Sequence, residues 1–109
     1  MKVYVAGPYT KGDVALNVRA AIDASHELMN AGHVPFVPHF SHFQHMIHPR
    51  EYEDWLAYDF EWLPMCDALL RLPGESSGAD REIEFANELG IPVHHSIESL
   101  LSDDSLLGL

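Results

Sequence analysis

The sequence predicts an α/β protein of three layers, αβα, built around a parallel sheet of four to five strands. Short stretches rich in β-forming residues alternate with stretches of helical periodicity, in the order β-α-β-α-β-α-β-α. Such alternation is typical of parallel sheets that carry helices on both faces. The 109 residues, of which 47% are hydrophobic, can form a real core. We therefore expect a single domain over 1–109, with 102–109 as a loose tail.

The first predicted strand, residues 2–6, is rich in β-formers and ends at a glycine and a proline. We expect it to be central in the sheet and to be followed by a loop at 7–12. The side chain of Asp13 can cap the next helix, which the apolar periodicity places at 14–31.

The second predicted strand, residues 33–38, contains Pro35, which indicates a sheet edge because proline has no N–H to donate. Residues 39–50 are predicted to be an irregular loop, or a loop with one helical turn. A helix follows at 50–63 and ends at Pro64.

The remaining elements follow the same alternation. A third strand is predicted at 67–72, and a loop rich in small residues at 73–78 leads into a helix at 79–89. A short fourth strand at 91–94 and a last helix at 97–101 complete the pattern. Ligands of parallel sheets bind beyond the carboxyl ends of the strands, so we expect the loops after the first three strands to form a site together.

Two predicted helices each carry one carboxylate within an apolar face. At about 100° per residue, Glu82 projects among the apolar residues of its helix, and Asp59 projects among those of the preceding helix. One interpretation is that both line the predicted cleft. The other is that each caps or pairs locally with an arginine, for which the candidates are Arg19, Arg50 and Arg81.

Paired carboxylates in a partly desolvated cleft are suited to acid–base and nucleophilic chemistry, of which glycoside cleavage is the standard case. Glu82 lies near a helix N-terminus, whose dipole is expected to keep it ionised, as a nucleophile requires. Asp59, in the middle of its helix between two tryptophans, fits the acid that gives up a proton.

Small residues in the predicted loops have two interpretations. The segment of Ser76, Ser77 and Gly78 before a helix N-terminus could bind an anion or could be an ordinary turn. The same alternatives hold for the segment Gly7, Pro8 and Tyr9. The chain has no GxGxxG or Walker pattern, and we expect no cofactor.

The histidines of residues 39–48 recur every third position. No Cys pair or HExxH pattern accompanies them, so we expect no metal site. His39 and His42 are better explained as polar lining of a nucleobase or sugar pocket, and His45 and His48 as surface loop residues.

The composition limits which classes of binding partner and which cellular compartment are compatible with the chain. The formal charge of −11 argues against binding to duplex nucleic acid, which needs clustered Lys and Arg. The single cysteine, Cys66, excludes an internal disulfide and is compatible with a reducing compartment. No apolar run is long enough for a membrane span, and the N-terminus lacks a signal-peptide pattern. We expect a cytoplasmic protein without a membrane partner.

Four segments together resemble a known family. They are Val-Tyr-Val-Ala-Gly-Pro-Tyr at 3–9, Tyr-Asp-Phe-Glu-Trp-Leu at 58–63, Cys-Asp-Ala-Leu-Leu-Arg-Leu-Pro-Gly at 66–74, and Ser-Ser-Gly-Ala-Asp-Arg-Glu-Ile-Glu-Phe-Ala at 76–86. In order and spacing they resemble the nucleoside 2-deoxyribosyltransferase-like superfamily, especially its small DUF4406 members. The chain is also similar to the deoxynucleoside 5′-monophosphate N-glycosidases.

The resemblance implies a flavodoxin-like or Rossmann-like fold and cleavage of the N-glycosidic bond of a nucleoside or nucleotide, by a hydrolase or a deoxyribosyltransferase. It implies that Glu82 attacks the anomeric carbon and that Asp59 acts with the leaving base. The family's strand-one aromatic corresponds to Tyr4, and its loop serine corresponds to Ser76.

The first loop departs from the pattern of the similar glycosidases. Their Ser and Arg, which hold the 5′-phosphate, are matched here by Pro8 and Thr10, although Lys11 could substitute. This departure favours an alternative function, a non-catalytic nucleotide-binding module on the same fold. An exposed aromatic-rich helix and a cleft that needs further walls suggest a homodimer or a higher homo-oligomer.

Overall fold

The computed structural model describes residues 1–103, in which four parallel strands form one sheet. The strands are β1 (Lys2–Ala6), β2 (Val34–Phe36), β3 (Ala68–Arg71) and β4 (Val93–His94), in the spatial order β2-β1-β3-β4. This is the order of flavodoxin-like folds, so the predicted α/β class is confirmed. Positions 104–109 of the predicted tail lie outside the described residues.

Within residues 1–103, five α-helices connect and follow the strands. They are α1 (Val14–Asn30), α2 (His42–Ile47), α3 (Tyr52–Trp62), α4 (Ser77–Glu88) and α5 (Ile97–Leu101), with single 3₁₀ turns at Pro38–Ser41 and Leu63–Met65. The predicted helix at 14–31 is confirmed to within one residue. Its N-cap is also as expected, because the Asp13 carboxylate accepts a hydrogen bond from the Leu16 amide at 3.1 Å.

Several boundaries differ from the sequence prediction, and β2 is shorter than its predicted range of 33–38; three differences are explained by the local structure. The segment 39–50 is mostly helical rather than irregular, because a 3₁₀ turn runs directly into α2. Helix α4 begins at Ser77 and not at residue 79, because the Ser76 hydroxyl caps it and accepts from the Ala79 amide at 3.0 Å. Strand β4 begins two residues late, because the Ile91 amide is still bonded to the carbonyl of α4 residue Ala86 at 2.9 Å.

The alternation of side chains along the strands sends two cores to opposite faces of the sheet. On one face, Val3 and Val5 of β1 pack with α1 and α5. On the other face, Tyr4 and Ala6 pack with α4 and with Leu63. The sheet is therefore covered on both sides, and α4 lies against the face to which Tyr4 points.

The edge positions agree with the sequence. Strand β2, with Pro35, is at the edge of the sheet, while β1 lies between β2 and β3. Strand order reverses around β1 and β3, so their carboxyl ends define the position where a flavodoxin-like fold binds ligands. In the part of the chain that the structure describes, no helix is long and apolar enough to cross a membrane.

Candidate active site

A cavity of about 430 Å³, here called the first cavity, opens at the carboxyl ends of β1 and β3. The loops after β1, β2 and β3 all contribute to its wall, as the sequence predicts. Its volume lies in the range of small-molecule sites. Its walls include eight of the predicted site residues, namely Gly7, Tyr9, His39, Asp59, Ser76, Ser77, Gly78 and Glu82.

Glu82 lines the first cavity from the face of α4 that packs against the sheet. Only 6% of the residue is exposed. The hydroxyl of Tyr4, which is fully buried on β1, donates a hydrogen bond to Glu82 Oε2. Tyr4 does not line the cavity. It lies behind the carboxylate and fixes its orientation from the side of the sheet.

Burial raises the pKa of Glu82 to about 8, and the charge of Asp59 adds to the rise. The Tyr4 hydrogen bond and the charge of Arg71 oppose it. The expectation that the helix dipole keeps Glu82 ionised is therefore wrong. Glu82 is the sixth residue after the cap Ser76, and the dipole effect decays within the first turn.

Asp59 lies on the inner face of α3 and is 9% exposed. Its Oδ1 atom is buried without a hydrogen-bond partner in residues 1–103. Burial raises the pKa of Asp59 to about 7. This oxygen is therefore an unsatisfied buried polar atom, and it belongs to a residue of the cavity wall.

The alternative of local arginine pairing does not account for the two carboxylates. Arg81 pairs with Glu53 at 2.8 Å, and Arg19 pairs with Asp23 at 3.8 Å. Within the described residues, no ion pair within 4.0 Å includes Glu82 or Asp59.

Arg71 is a buried cation that the sequence analysis missed. Its guanidinium donates to the carbonyls of Leu72 and Gly74, the latter at 2.8 Å, and contacts Asp80 at 3.4 Å. These bonds tie the loop after β3 to the start of α4. The signal was present in the sequence: in a strand of period two, residue 71 shares a face with buried Leu69.

The segment of Ser76, Ser77 and Gly78 was predicted as a loop before the helix, but it forms the cap and the first turn of α4. The hydroxyl of Ser76 already caps the helix, while Ser77 and Gly78 form the first turn and line the cavity. A Cβ atom on Gly78 would lie 2.9 Å from the Tyr52 hydroxyl, so α4 and α3 approach each other closely at this glycine.

Two histidines connect the first and second loops. His39 is buried, and its Nε2 donates to the Pro8 carbonyl at 2.8 Å, while its Nδ1 has no partner in residues 1–103. Burial lowers the pKa of His39, which favours the neutral ring. Tyr9 joins His42 Nδ1 at 2.6 Å. Pro8, which was expected to bind the ligand, is not part of the cavity wall, and its carbonyl accepts the hydrogen bond of His39.

His45 is not the simple surface loop residue that was expected. It lies on α2, lines the first cavity, and accepts a hydrogen bond at 2.8 Å from the indole N–H of Trp55. In the described ranges, no group of three or more His, Cys, Asp or Glu side chains is arranged to hold a metal ion. His39 and His45 line the first cavity, whereas His42, which was also expected to line it, does not.

The geometry combines two buried carboxyl groups, both with raised pKa, in the wall of one cavity. Such a pair can exchange protons with a bound molecule near neutral pH. The same fold is found in a solved structure of a 2-deoxyribosyltransferase from the psychrotolerant bacterium Bacillus psychrosaccharolyticus. The TM-score is 0.63 and the identity 22%, over 96% of this chain and 82% of that one.

The chain belongs to the family DUF7768, described as a domain of unknown function, whose model matches residues 1–96. The narrower assignment to the DUF4406 group is not confirmed, because the matching family is DUF7768. Comparison with curated proteins finds no match.

Proposed function

We propose that this protein cleaves the N-glycosidic bond of a nucleoside or nucleotide, with Glu82 as the nucleophile and Asp59 as the general acid and base. The observation that carries the proposal is the pair of buried carboxyl groups in the wall of one cavity, with the Tyr4 hydroxyl behind one of them and an oxygen without a partner on the other. The similarity in fold to a deoxyribosyltransferase supports the same chemistry.

The proposed reaction has two steps. The Glu82 carboxylate attacks C1′, the bond from C1′ to the base nitrogen breaks, and its electron pair leaves with the base, which takes a proton from Asp59. Water or a second base then attacks C1′ of the glycosyl ester and gives its proton to Asp59. The ester bond breaks, and the Glu82 carboxylate is regenerated.

The raised pKa values determine when the two groups can act. The reaction needs Glu82 ionised and Asp59 protonated, and burial raises the pKa of both groups into the neutral range. We therefore expect a bell-shaped dependence of kcat/KM on pH, with limbs that belong to the pair.

The direct test is release of free base from a panel of ribo- and deoxyribonucleosides and their 5′-monophosphates, measured by liquid chromatography. Glu82→Gln keeps the size of the side chain but removes the nucleophile, and we expect at least a 10³-fold loss of kcat. Glu84→Gln, on the exposed side of the same helix, is the matched control. Equal activity of the Glu82→Gln variant and wild type would refute the mechanism.

The second candidate function is a non-catalytic nucleotide-binding module. The raised pKa of Glu82 favours it, because a carboxyl group that is mostly protonated at pH 7 is a weak nucleophile. This candidate predicts that a nucleotide raises the melting temperature of the protein without release of base, and that the Glu82→Gln variant binds as tightly as wild type.

We further propose that the chain forms a homodimer or a higher homo-oligomer. Large apolar side chains of α2 and its surroundings are exposed, with Phe43 and Ile47 at 70% and 72%. A second copy could cover them and add walls to the cleft. Light scattering of the eluted peak in size-exclusion chromatography tests this, and a monomer mass at micromolar concentration would refute it.

A further inference from the structure

Helix α2 is joined to the neighbouring elements by the hydrogen bonds of two histidines. None of the residues of α2 is buried. Within residues 1–103, its side chains form hydrogen bonds to other elements through His42, which meets Tyr9, and through His45, which meets Trp55 of α3. Tyr9, His45 and Trp55 all line the first cavity, so these two contacts hold α2 beside that cavity.

The two contacts differ in the chemistry of the partner. Nδ1 of His45 accepts hydrogen bonds from the indole N–H of Trp55 at 2.8 Å and from the backbone N–H of Arg50 at 3.3 Å. Because both partners can only donate, Nδ1 must be unprotonated, and the neutral ring carries its hydrogen on Nε2. The Tyr9 hydroxyl, 2.6 Å from Nδ1 of His42, can donate or accept, so that contact tolerates either form of the ring.

We propose that His45 is a positioning residue of the first cavity, which holds Trp55 in the wall only while its Nδ1 is unprotonated. A proton on Nδ1 turns this atom into a donor that faces two other donors, which breaks both hydrogen bonds and releases the indole from α2. A histidine ordinarily takes up a proton between about pH 5 and 8. The first cavity therefore opens on the side of α2 as pH falls through this range.

The position of Trp55 affects more than one part of the site. Trp55 lies four residues before Asp59, so the two side chains are neighbours on one face of α3. Both also line a second cavity, of about 680 Å³. Release of the indole therefore changes the wall of both cavities beside the proposed acid.

Other ionisable groups share the wall of the first cavity with His45. They are Lys11, His39, Arg50, Asp59, Glu75 and Glu82. Asp59 and Glu82 change charge near neutral pH, because burial raises the pKa of both. A test of His45 therefore compares variants that all keep these groups, so that their contribution cancels.

The fluorescence of Trp55 provides the test. Trp62→Phe leaves Trp55 as the single tryptophan and keeps a ring that stacks on Phe36. In this background, acrylamide, a neutral quencher, reports the exposure of Trp55, and we expect its quenching constant to rise about twofold from pH 8 to pH 5. His45→Asn carries an oxygen on Cγ, where histidine has Nδ1, and cannot be protonated there. Its quenching constant should change little over the same range.

Two further variants control the measurement. His42→Asn removes the other histidine contact of α2 and leaves the bond between His45 and Trp55, so the rise in quenching at low pH should remain. His45→Leu has no acceptor, so quenching should be high at both pH values. If the His45→Asn variant had the same pH dependence as its Trp62→Phe parent, the inference would be overturned, whether or not the protein cleaves a nucleoside.

A kinetic measurement extends the inference to ligand binding, and this part rests on the proposed function. For a nucleoside that the panel identifies as a substrate, we expect KM of His45→Leu at pH 8 to be about tenfold that of His45→Asn, with kcat values within about twofold. Equal KM values would overturn the role of His45 in ligand binding and leave the proposed cleavage standing. The expected quenching pattern in a protein that cleaves nothing would support the positioning role and refute the proposed function.

Discussion

Tyr4 joins the sheet to Glu82 through one hydrogen bond in which its hydroxyl is the donor. Burial, followed by the charges of Glu82 and Asp59, raises the pKa of Tyr4, so the hydroxyl keeps its proton throughout the working range of pH. The bond stabilises the ionised form of Glu82 and opposes the effect of burial. A neutral donor in this position therefore makes the proposed nucleophile available at a lower pH.

Tyr4→Phe removes this donor and keeps the ring that packs on Phe36. We expect the pKa of Glu82 to rise further, so that the acidic limb of kcat/KM moves up by roughly one pH unit and activity at pH 7 falls about tenfold. A pH–rate profile measures the shift. In a Glu82→Gln background, Tyr4→Phe should have little further effect on activity, and a full additive loss would contradict the coupling.

Arg71 affects the stability of the protein, because its side chain donates hydrogen bonds to backbone carbonyls. Arg71→Met leaves the carbonyls of Leu72 and Gly74 without their buried donor. We expect a loss of about 1–3 kcal/mol in the free energy of unfolding, measured by urea denaturation. Arg19→Met breaks only an exposed pair with Asp23 and should change stability by less than about 0.5 kcal/mol. Equal effects would show that the Arg71 bonds do not hold the loop.

At the scale of elements, the loop between β3 and α4 is constrained by glycine at its tightest point. Gly74 has φ of +114°, and a Cβ atom there would lie 2.7 Å from Cγ of Pro8. The contact joins the loops after β1 and β3, which form adjacent parts of the cavity wall. Both the conformation and the close approach exclude a side chain at this position.

Gly74→Ala should therefore destabilise the protein by about 2–4 kcal/mol, because it combines backbone strain with a steric clash. Gly12→Ala is the control, because Gly12 also has a positive φ, of +86°, but has no atom within 4 Å of its Cβ position. It should show only the backbone cost, about 1–2 kcal/mol. Thermal denaturation measures both, and equal losses would exclude a contribution from the Pro8 contact.

The elements and the candidate site were predictable to different degrees. Local patterns determined the alternating strands and helices, and helical periodicity placed Glu82 and Asp59 on inner faces, where both are buried. The effect of the Arg71 charge on the pKa of Glu82 depends on the tertiary structure, in which β3 pairs with β1 from a distant part of the chain. The raised pKa of Glu82 depends on burial by several elements together, which cannot be predicted from any single segment of the sequence. The features of the site that could not be predicted are therefore those that depend on tertiary contacts.

At the scale of the whole molecule, the ionisation that the proposed reaction requires of Glu82 opposes the stability of the fold. The unfolded chain releases their protons near the ordinary pKa values of 3.8 and 4.5, whereas the folded protein retains them up to about 7 and 8. Between these limits the folded state binds more protons than the unfolded state. Stability from these groups is therefore fully present below pH 4 and is lost as pH rises through 7 and 8.

Asp59→Asn and Glu82→Gln remove the titrating groups and should make the protein more stable than wild type at high pH. We expect the advantage of each variant to grow by roughly 2–4 kcal/mol between pH 5 and pH 9, because each unit of pKa shift corresponds to about 1.4 kcal/mol. Urea denaturation at the two pH values measures it, and comparison with wild type cancels the effect of other groups. Glu84→Gln, on the exposed side of α4, is the control. If its pH dependence matched that of Glu82→Gln, the cost of ionising Glu82 in the fold would be disproved.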